Sequence, residues 1–178
     1  MNIIDKIISN FINNKSLYIG EKVTISEHMI QTAMIAEKSK SSNNLICSCL
    51  LHDYGHFILE DPDKLVRKKI DGKHEDIGYE YLKKFFKKEV VEPIKYHVLA
   101  KRYLSKEKKY FNLLSDASKV SLKLQGGALN AKESKEFEKK NFFEESIKLR
   151  KFDEVAKRTD IKVKSIIEYK NLLSSHLL

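Results

Sequence analysis

The chain contains 178 residues, of which 42% are hydrophobic and 33% are charged. This length and composition predict a single soluble, globular domain over residues 1–178 with a proper hydrophobic core. No apolar run approaches the length of a membrane span, and the first residues do not form a signal peptide. We therefore expect a cytoplasmic protein without membrane contacts.

The formal net charge is +9, which could indicate an anionic partner. The lysines, however, lie in ones and twos between glutamates along the whole chain, and no aromatic residues accompany a basic stripe. This pattern is typical of solvated helix faces. We expect no nucleic-acid partner, a small-molecule substrate and a monomeric state.

The chain is rich in leucine, isoleucine, lysine and glutamate and has only two prolines and six glycines. This composition predicts an all-α fold, a compact helical bundle. Cys47 and Cys49 do not form a CxxC pair and indicate core residues in a reducing compartment. Apolar periodicity and capping residues predict helices over residues 1–14, 24–40, 45–51, 74–82, 108–113, 115–124, 130–140, 142–157 and 161–173. They also predict a short helix that begins at residue 61 and another helix that begins at residue 92.

The apolar helix 45–51 leads directly into His52 and Asp53. A buried carboxylate beside imidazoles is costly unless something pairs it, and a divalent metal ion is the usual partner. Adjacent His and Asp side chains cannot share one helical face. They can share an ion if the helix ends there and Gly55 lets the backbone turn away. The two oxygens of an aspartate could also bridge two ions.

Three further histidines lie at helix edges. His28 begins an apolar helix face, where a lone histidine is more often a satisfied core residue. His74 opens its helix and could equally be an exposed helix start. His97 and Lys101 lie one turn apart on one face. Two cations would be unfavourable there, whereas a neutral, metal-bound His97 beside a lysine that binds an anion would fit; a solvated lysine is the alternative.

Two late positions complete the candidates. Arg150 and Asp153 share a face of the predicted helix 142–157 and could form only an exposed salt bridge. His176 falls in a tail that we expect to be frayed, without a role. The metal-ligand candidates are then His28, His52, Asp53, His74, His97 and Asp153.

Six protein ligands exceed the needs of one tetrahedral zinc ion. They suit two metal ions bridged by a carboxylate and lying roughly 3.5–4 Å apart, with open positions for substrate or oxygen. Imidazole and carboxylate ligands without thiolate suit iron or manganese as well as zinc, so the ligand types do not identify the metal.

The order of His28, the His52-Asp53 pair and Asp153 resembles the HD-domain phosphohydrolases. His74 and His97 resemble the additional ligands of the dinuclear HD-domain proteins, which include the inositol oxygenases with a mixed-valent di-iron centre. Further segments between residues 18 and 157 resemble, more narrowly, the HD-domain oxygenases of phosphonate catabolism. These segments are 18–21, 28, 50–56, 73–78, 97–104, 122–127 and 150–157.

The resemblance implies an enzyme that uses O2 to cleave the C–P bond of 2-amino-1-hydroxyethylphosphonate, giving glycine and phosphate. Its cofactor would be two iron ions in a mixed-valent Fe(II)/Fe(III) state. One ion would be held by His28, His52, Asp53 and Asp153. The other would be held by Asp53, His74 and His97, with Asp53 as the bridge.

The same resemblance implies the residues that bind the substrate. Tyr18 would occupy one iron until the substrate displaces it. Glu21 would meet the substrate amine, which favours a primary ammonium over a trimethylammonium; a solvated loop residue is the alternative for Glu21. The phosphonate would be surrounded by His56, Lys101, Ser118, Gln125 and Arg150.

Two other functions use the same residues. A metal-dependent phosphohydrolase acting on a nucleotide or another phosphate ester needs the same His-Asp core, but it does not explain Tyr18 and Glu21. A helical regulatory module with a degenerate metal site is disfavoured because no ligand position is missing.

Overall fold

The computed structural model describes residues 2–18, 20–59 and 71–178. Within these residues the chain forms α-helices and no strand, which confirms the all-α fold class. The helices are α1 (Ile3–Asn13), α2 (Ile25–Lys38), α3 (Asn43–Leu51), α4 (His74–Leu82), α5 (Lys88–Leu104), α6 (Lys108–Leu113), α7 (Asp116–Leu124), α8 (Ala131–Glu138), α9 (Phe143–Val155) and α10 (Lys170–Ser175). The short helix predicted from residue 61 lies outside the described residues. No helix that is described is both long and apolar enough to cross a membrane.

Several helices begin where side chains cap their free N–H groups. Thr24 and Glu27 form a capping box in front of α2, with the Glu27 backbone N–H donating to Thr24 Oγ1 at 3.1 Å. Ser42 accepts a hydrogen bond from the third residue of α3, and Asn130 caps α8 in the same way. These local signals explain why most predicted helices are confirmed to within a few residues.

The central helices pack around α5, which contacts α3, α4 and α9, while α2 contacts α3 and α9. The main core contains fully buried side chains from each of these helices, among them Met29, Leu50, Ile94 and Leu149. This packing brings the C-terminal end of α3 between α2, α5 and α9. Polar residues at that end are therefore removed from solvent.

Helix α5 starts at Lys88, so the prediction that it starts at residue 92 is wrong. The earlier turn forms because Val90 and Val91 are buried in the core. Pro93 lies inside the helix, where it removes only the hydrogen bond to the Glu89 carbonyl. Tertiary burial thus outweighs the signal of the proline.

The predicted helix over 161–173 is wrong in its first five residues. Residues 161–165 are not helical, and a 3₁₀ turn at Ile166–Tyr169 precedes α10. Lys164 instead lies along α2, where its Nζ bonds Glu37 Oε2 at 2.7 Å. His176 is not frayed: it is 7% exposed, and its Nδ1 lies 2.7 Å from the Leu172 carbonyl oxygen.

Gly55 has a different role from the predicted turn. It lies in the 3₁₀ turn Tyr54–Phe57, directly after the His52-Asp53 pair, and its φ is not positive. A Cβ atom at Gly55 would lie 1.9 Å from the His74 carbonyl oxygen. The glycine is therefore required because the start of α4 approaches the backbone closely, and this approach brings His74 to the end of α3.

We expect Gly55→Ala to destabilise the protein by about 3 kcal/mol or more, because the start of α4 must move away. Gly127→Ala is the control: φ there is +72°, but an added Cβ meets no atom within 4 Å, so its cost should be about 1–2 kcal/mol. Urea unfolding measures both free energies. Equal costs would contradict the close-approach role of Gly55.

Candidate metal centre

The end of α3 turns the adjacent side chains of His52 and Asp53 toward each other. His52 follows the last helical residue, and Asp53 has φ −101° and ψ 15°, outside the helical region. As a result, His52 Nε2 lies 3.3 Å from Asp53 Oδ2. The structure thus solves the problem that neighbouring residues on a regular helix would face apart.

A first group of ligand atoms joins α2, α3 and α9. His28 Nε2 lies 3.2 Å from His52 Nε2 and 3.2 Å from Asp153 Oδ1. All three side chains are at most 1% exposed. One ligand atom from each of these residues lies within 4.8 Å of the others, which is close enough to hold one metal ion.

A second group lies on the other side of Asp53. His74, the first residue of α4, and His97, from the middle of α5, place their Nε2 atoms 3.1 Å apart. Asp53 Oδ1 is 3.1 Å from His74 Nε2 and 3.5 Å from His97 Nε2. These three residues form a second group able to hold a metal ion.

Asp53 divides its two oxygens between the histidine pairs. Oδ2 faces His28 at 3.6 Å and His52 at 3.3 Å, whereas Oδ1 faces His74 and His97. The carboxylate is 1% exposed and therefore has little access to water. This arrangement would allow the carboxylate to bridge two ions.

The hydrogen bonds of the imidazole rings fit metal binding. The Nδ1 atoms of His28, His52 and His97 lie 2.9, 2.9 and 2.6 Å from the backbone carbonyl oxygens of Ala156, Cys49 and Ile94. Because a carbonyl oxygen only accepts, each Nδ1 donates, and each ring in its neutral, metal-binding form would turn an Nε2 lone pair inward. Facing lone pairs repel unless a cation lies between them.

The buried carboxylate oxygens also indicate metal binding. Both oxygens of Asp53 and Oδ1 of Asp153 are buried and have no hydrogen-bond partner within the described part of the chain. Unsatisfied buried anions are costly. Two cations between these oxygens and the facing imidazole nitrogens would satisfy them all, so the residues fit a dinuclear metal site.

The electrostatics also favour positive charge here. Burial raises the pKa of Asp53, but His52, His74 and His97 outweigh burial and hold that pKa well below its usual range. Burial lowers the pKa of His52, but Asp53 and Asp153 outweigh burial and raise that pKa to about 9. Two ionised carboxylates thus attract any cation to this position.

Three cationic or neutral donors lie beside the candidate metal ligands. Lys101 is 5% exposed and donates from Nζ to Ser121 Oγ at 2.9 Å, and burial together with the nearby Arg150 lowers the pKa of Lys101 to about 7. Arg150 is 3% exposed. The ring of His56 stacks on His74 at a centroid distance of 4.3 Å, and burial, with His74, lowers the pKa of His56 to about 3.

Ser118 and Gln125 were also expected to bind the phosphonate, and their contacts involve other residues. Ser118 Oγ accepts a hydrogen bond from Lys157 Nζ at 3.0 Å and lies 3.4 Å from Glu154 Oε2. Gln125 is the C-cap residue that follows α7, and its buried Oε1 has no hydrogen-bond partner in the ranges described. No hydrogen bond within those ranges joins either residue to a metal-ligand candidate.

The loop before α2 covers the first histidine group. The Tyr18 ring stacks on the His28 ring with centroids 4.2 Å apart and planes at 19°. Burial, Asp53 and Asp153 raise the pKa of Tyr18, so its hydroxyl stays protonated. Glu21 Oε1 lies 3.5 Å from Lys157 Nζ.

Sequence reasoning missed residues that hold Arg150 in place. Arg150 donates to Asp153 Oδ2 and to Glu154 Oε2, and its Nε donates to the Tyr110 hydroxyl at 2.9 Å. The i,i+4 spacing of Arg150 and Glu154 was a readable signal. Tyr110 lies on a separate helix, so nothing in the local sequence indicated its contact.

Known proteins resemble this chain over most of its length. The model of the HD domain family matches residues 25–175, a range that includes all six metal-ligand candidates. A (1-hydroxy-2-(trimethylamino)ethyl)phosphonate dioxygenase, glycine-betaine-forming, from Leisingera caerulea is 46% identical over 145 residues, which are 81% of this chain and 74% of that protein. A hydroxymethylphosphonate dioxygenase from Gimesia maris is 41% identical over 167 residues, which are 93% of this chain and 83% of that protein.

We expect Asp53→Ala to lose both metal ions, because its two oxygens face both ligand groups. His74→Ala should chiefly lose the ion of the second group. Asp76→Ala removes an exposed carboxylate from the same helix as His74 and should keep both ions. Metal analysis after desalting measures the content, and an Asp53→Ala protein that retains the full metal content would contradict the bridge.

Proposed function

The chain belongs to the HD-domain family and is one of its oxygenases, and on this premise we propose that it cleaves the C–P bond of 2-amino-1-hydroxyethylphosphonate with O2 at a di-iron centre. The similarity to two phosphonate dioxygenases supports oxidative cleavage of a phosphonate. We propose in addition the primary amine of the substrate, iron as the metal and its mixed valence.

The division of the Asp53 carboxylate between two histidine pairs is the observation that carries the proposal. In the proposed centre, one ion is held by His28, His52, Asp53 and Asp153. The other ion is held by Asp53, His74 and His97. When bound, a mixed-valent iron pair would supply the redox chemistry with O2. Carboxylate and imidazole ligands suit iron in this role.

The proposed reaction balances with one O2 per substrate. 2-Amino-1-hydroxyethylphosphonate and O2 contain the same atoms as glycine and phosphate. The carbon that carries the hydroxyl group is oxidised to a carboxylate, the C–P bond breaks, and O2 is reduced. One oxygen atom of O2 ends in the carboxylate and the other in phosphate.

Buried cations would bind the phosphonate, which carries up to two negative charges. Lys101 has no carboxylate within 4 Å among the described residues, its pKa is lowered to about 7, and a bound anion would favour its charged form. Arg150 uses three of its five N–H donors on Asp153, Glu154 and Tyr110 in the contacts described, which leaves two for the substrate. Because it also contacts Asp153, Arg150 would hold the phosphonate next to the metal site.

The remaining substrate contacts would come from the loop before α2 and from uncharged side chains around the site. His56, which stays neutral at ordinary pH, would donate or accept at the phosphonate without adding charge. Tyr18 would cover the first ion and exclude water until the substrate displaces its ring. Glu21 would accept hydrogen bonds from the substrate ammonium. Ser118 and Gln125 would complete the phosphonate pocket.

The proposed function is tested by purifying the protein anaerobically with iron and supplying 2-amino-1-hydroxyethylphosphonate and O2. We expect equal amounts of O2 consumed, phosphate released and glycine formed. Release of phosphate from phosphate esters without O2 consumption would overturn the proposal in favour of a phosphohydrolase.

Lys101→Ala should weaken phosphonate binding while the metal content stays intact. Loss of one charge-assisted contact costs about 1.5–3 kcal/mol, or roughly tenfold or more in affinity. Lys123→Ala, which removes an exposed lysine of α7, should change neither. Unchanged apparent affinity in Lys101→Ala would remove this lysine from the substrate site.

The amine preference is tested at Glu21. A primary ammonium donates hydrogen bonds to a carboxylate, whereas a trimethylammonium has no donor and is usually bound by aromatic faces. We expect higher kcat/KM for 2-amino-1-hydroxyethylphosphonate than for its trimethylated analogue. Glu21→Gln should lower that preference by about tenfold. Equal or better turnover of the trimethylated compound by the wild type would refute the preference.

A further inference from the structure

Lys157 places its ammonium group between two carboxylates at the edge of the candidate site. Its Nζ lies 3.5 Å from Glu21 Oε1 and 3.5 Å from Glu154 Oε1. The side chain is 9% exposed, and Nζ also lies 5.7 Å from the centre of the Tyr18 ring. A cation of the chain itself thus lies beside the carboxylate that would face a substrate amine.

The hydrogen bonds of Lys157 go elsewhere. Nζ donates to Ser118 Oγ at 3.0 Å and to Ser115 Oγ at 3.4 Å. Glu21 Oε1 is buried and has no hydrogen-bond partner within the described part of the chain. Lys157 therefore compensates the charge of Glu21 but leaves one of its acceptor positions free.

An incoming primary ammonium could use this free acceptor. It would then approach Lys157, and two like charges at short distance repel strongly in a buried site. The charge of Lys157 would stay compensated during this approach, because Lys157 also contacts Glu154 and Ser115. A small shift of Nζ toward Glu154 would release Glu21 to the substrate.

A substrate without an amine meets a different arrangement. Its phosphonate brings negative charge to a site in which Glu21 is already an anion. With Lys157 in place, Glu21 remains paired, so no buried charge is left uncompensated. Without Lys157, Glu21 would be an unpaired anion beside an anionic substrate.

We propose that Lys157 stands in for the substrate ammonium at Glu21 and so allows this site to take 1-hydroxyphosphonates that lack an amine as well as those that carry one. This inference rests on the proposed function and deepens it, because it names the substrate class. Lys157 is then a specificity-determining residue that acts through Glu21.

Lys157→Met tests the inference, since it removes the charge and keeps most of the side-chain volume. The substrates are 2-amino-1-hydroxyethylphosphonate and hydroxymethylphosphonate, measured in the iron-loaded enzyme. We expect KM for hydroxymethylphosphonate to rise and KM for the amine substrate to fall or stay constant. We expect kcat/KM for the amine substrate, divided by kcat/KM for hydroxymethylphosphonate, to increase about tenfold. This is the effect of losing one buried charge pair.

Two further variants separate this role from others. Lys151→Met removes an exposed lysine of α9, the helix that ends two residues before Lys157, and should leave the ratio unchanged. In a Glu21→Gln background, Lys157→Met should change the ratio little, because the charge that Lys157 compensates is gone. If Lys157→Met does not fold, Lys157→Gln, which retains hydrogen bonding to the serines, serves for the same comparison.

Several outcomes would overturn the inference. An equal loss for both substrates would make Lys157 a phosphonate contact, and a lower unfolding temperature with an unchanged ratio would make it only a structural link between the loop and α7. Failure of the proposed function is distinguishable, because the wild type would then consume no O2 with either phosphonate.

Discussion

The structure depends on two buried carboxylates, Asp53 and Asp153, that face four imidazole rings with almost no access to water. Such a group is unfavourable in an apolar core unless cations lie between the ligand atoms. We therefore expect metal binding and folding to be coupled, because bound ions would offset the desolvation of the ligands. Hydrogen bonds from the imidazole Nδ1 atoms to backbone carbonyls fix the rings in the orientation that this demands.

Helix α9 connects the metal site with the substrate side. Its inward face carries Asp153, a candidate ligand, and Arg150, which contacts that ligand directly. Glu154 on the same helix holds Arg150 and lies beside Lys157, which in turn reaches Glu21 in the loop before α2. α9 and the residues directly after it thus place a candidate metal ligand, a candidate anion-binding cation and the charge partner of Glu21 side by side, so a substitution at one of these positions should affect the others.

The rigidity of this arrangement comes from close backbone packing as well as from charge. Gly55 and Gly78 let the turn after α3 and the start of α4 approach to a distance that excludes a side chain. This approach fixes the distance from Asp53 to His74, which belongs to a separate helix. A site with two ligand groups needs such fixed distances, because its bridging carboxylate must reach both ions.

The sequence by itself determined the helical class, most helix boundaries and the identity of the six ligand candidates, because apolar periodicity, capping residues and the His52-Asp53 pair are local signals. Only the tertiary structure decided what depends on contacts between distant segments. Burial of Val90 and Val91 extended α5 beyond the proline signal, and residues 161–165 are not helical although a helix was predicted there. The pairing of Lys157 with Glu21 likewise joins residues 136 positions apart, a distance over which local pattern carries no information.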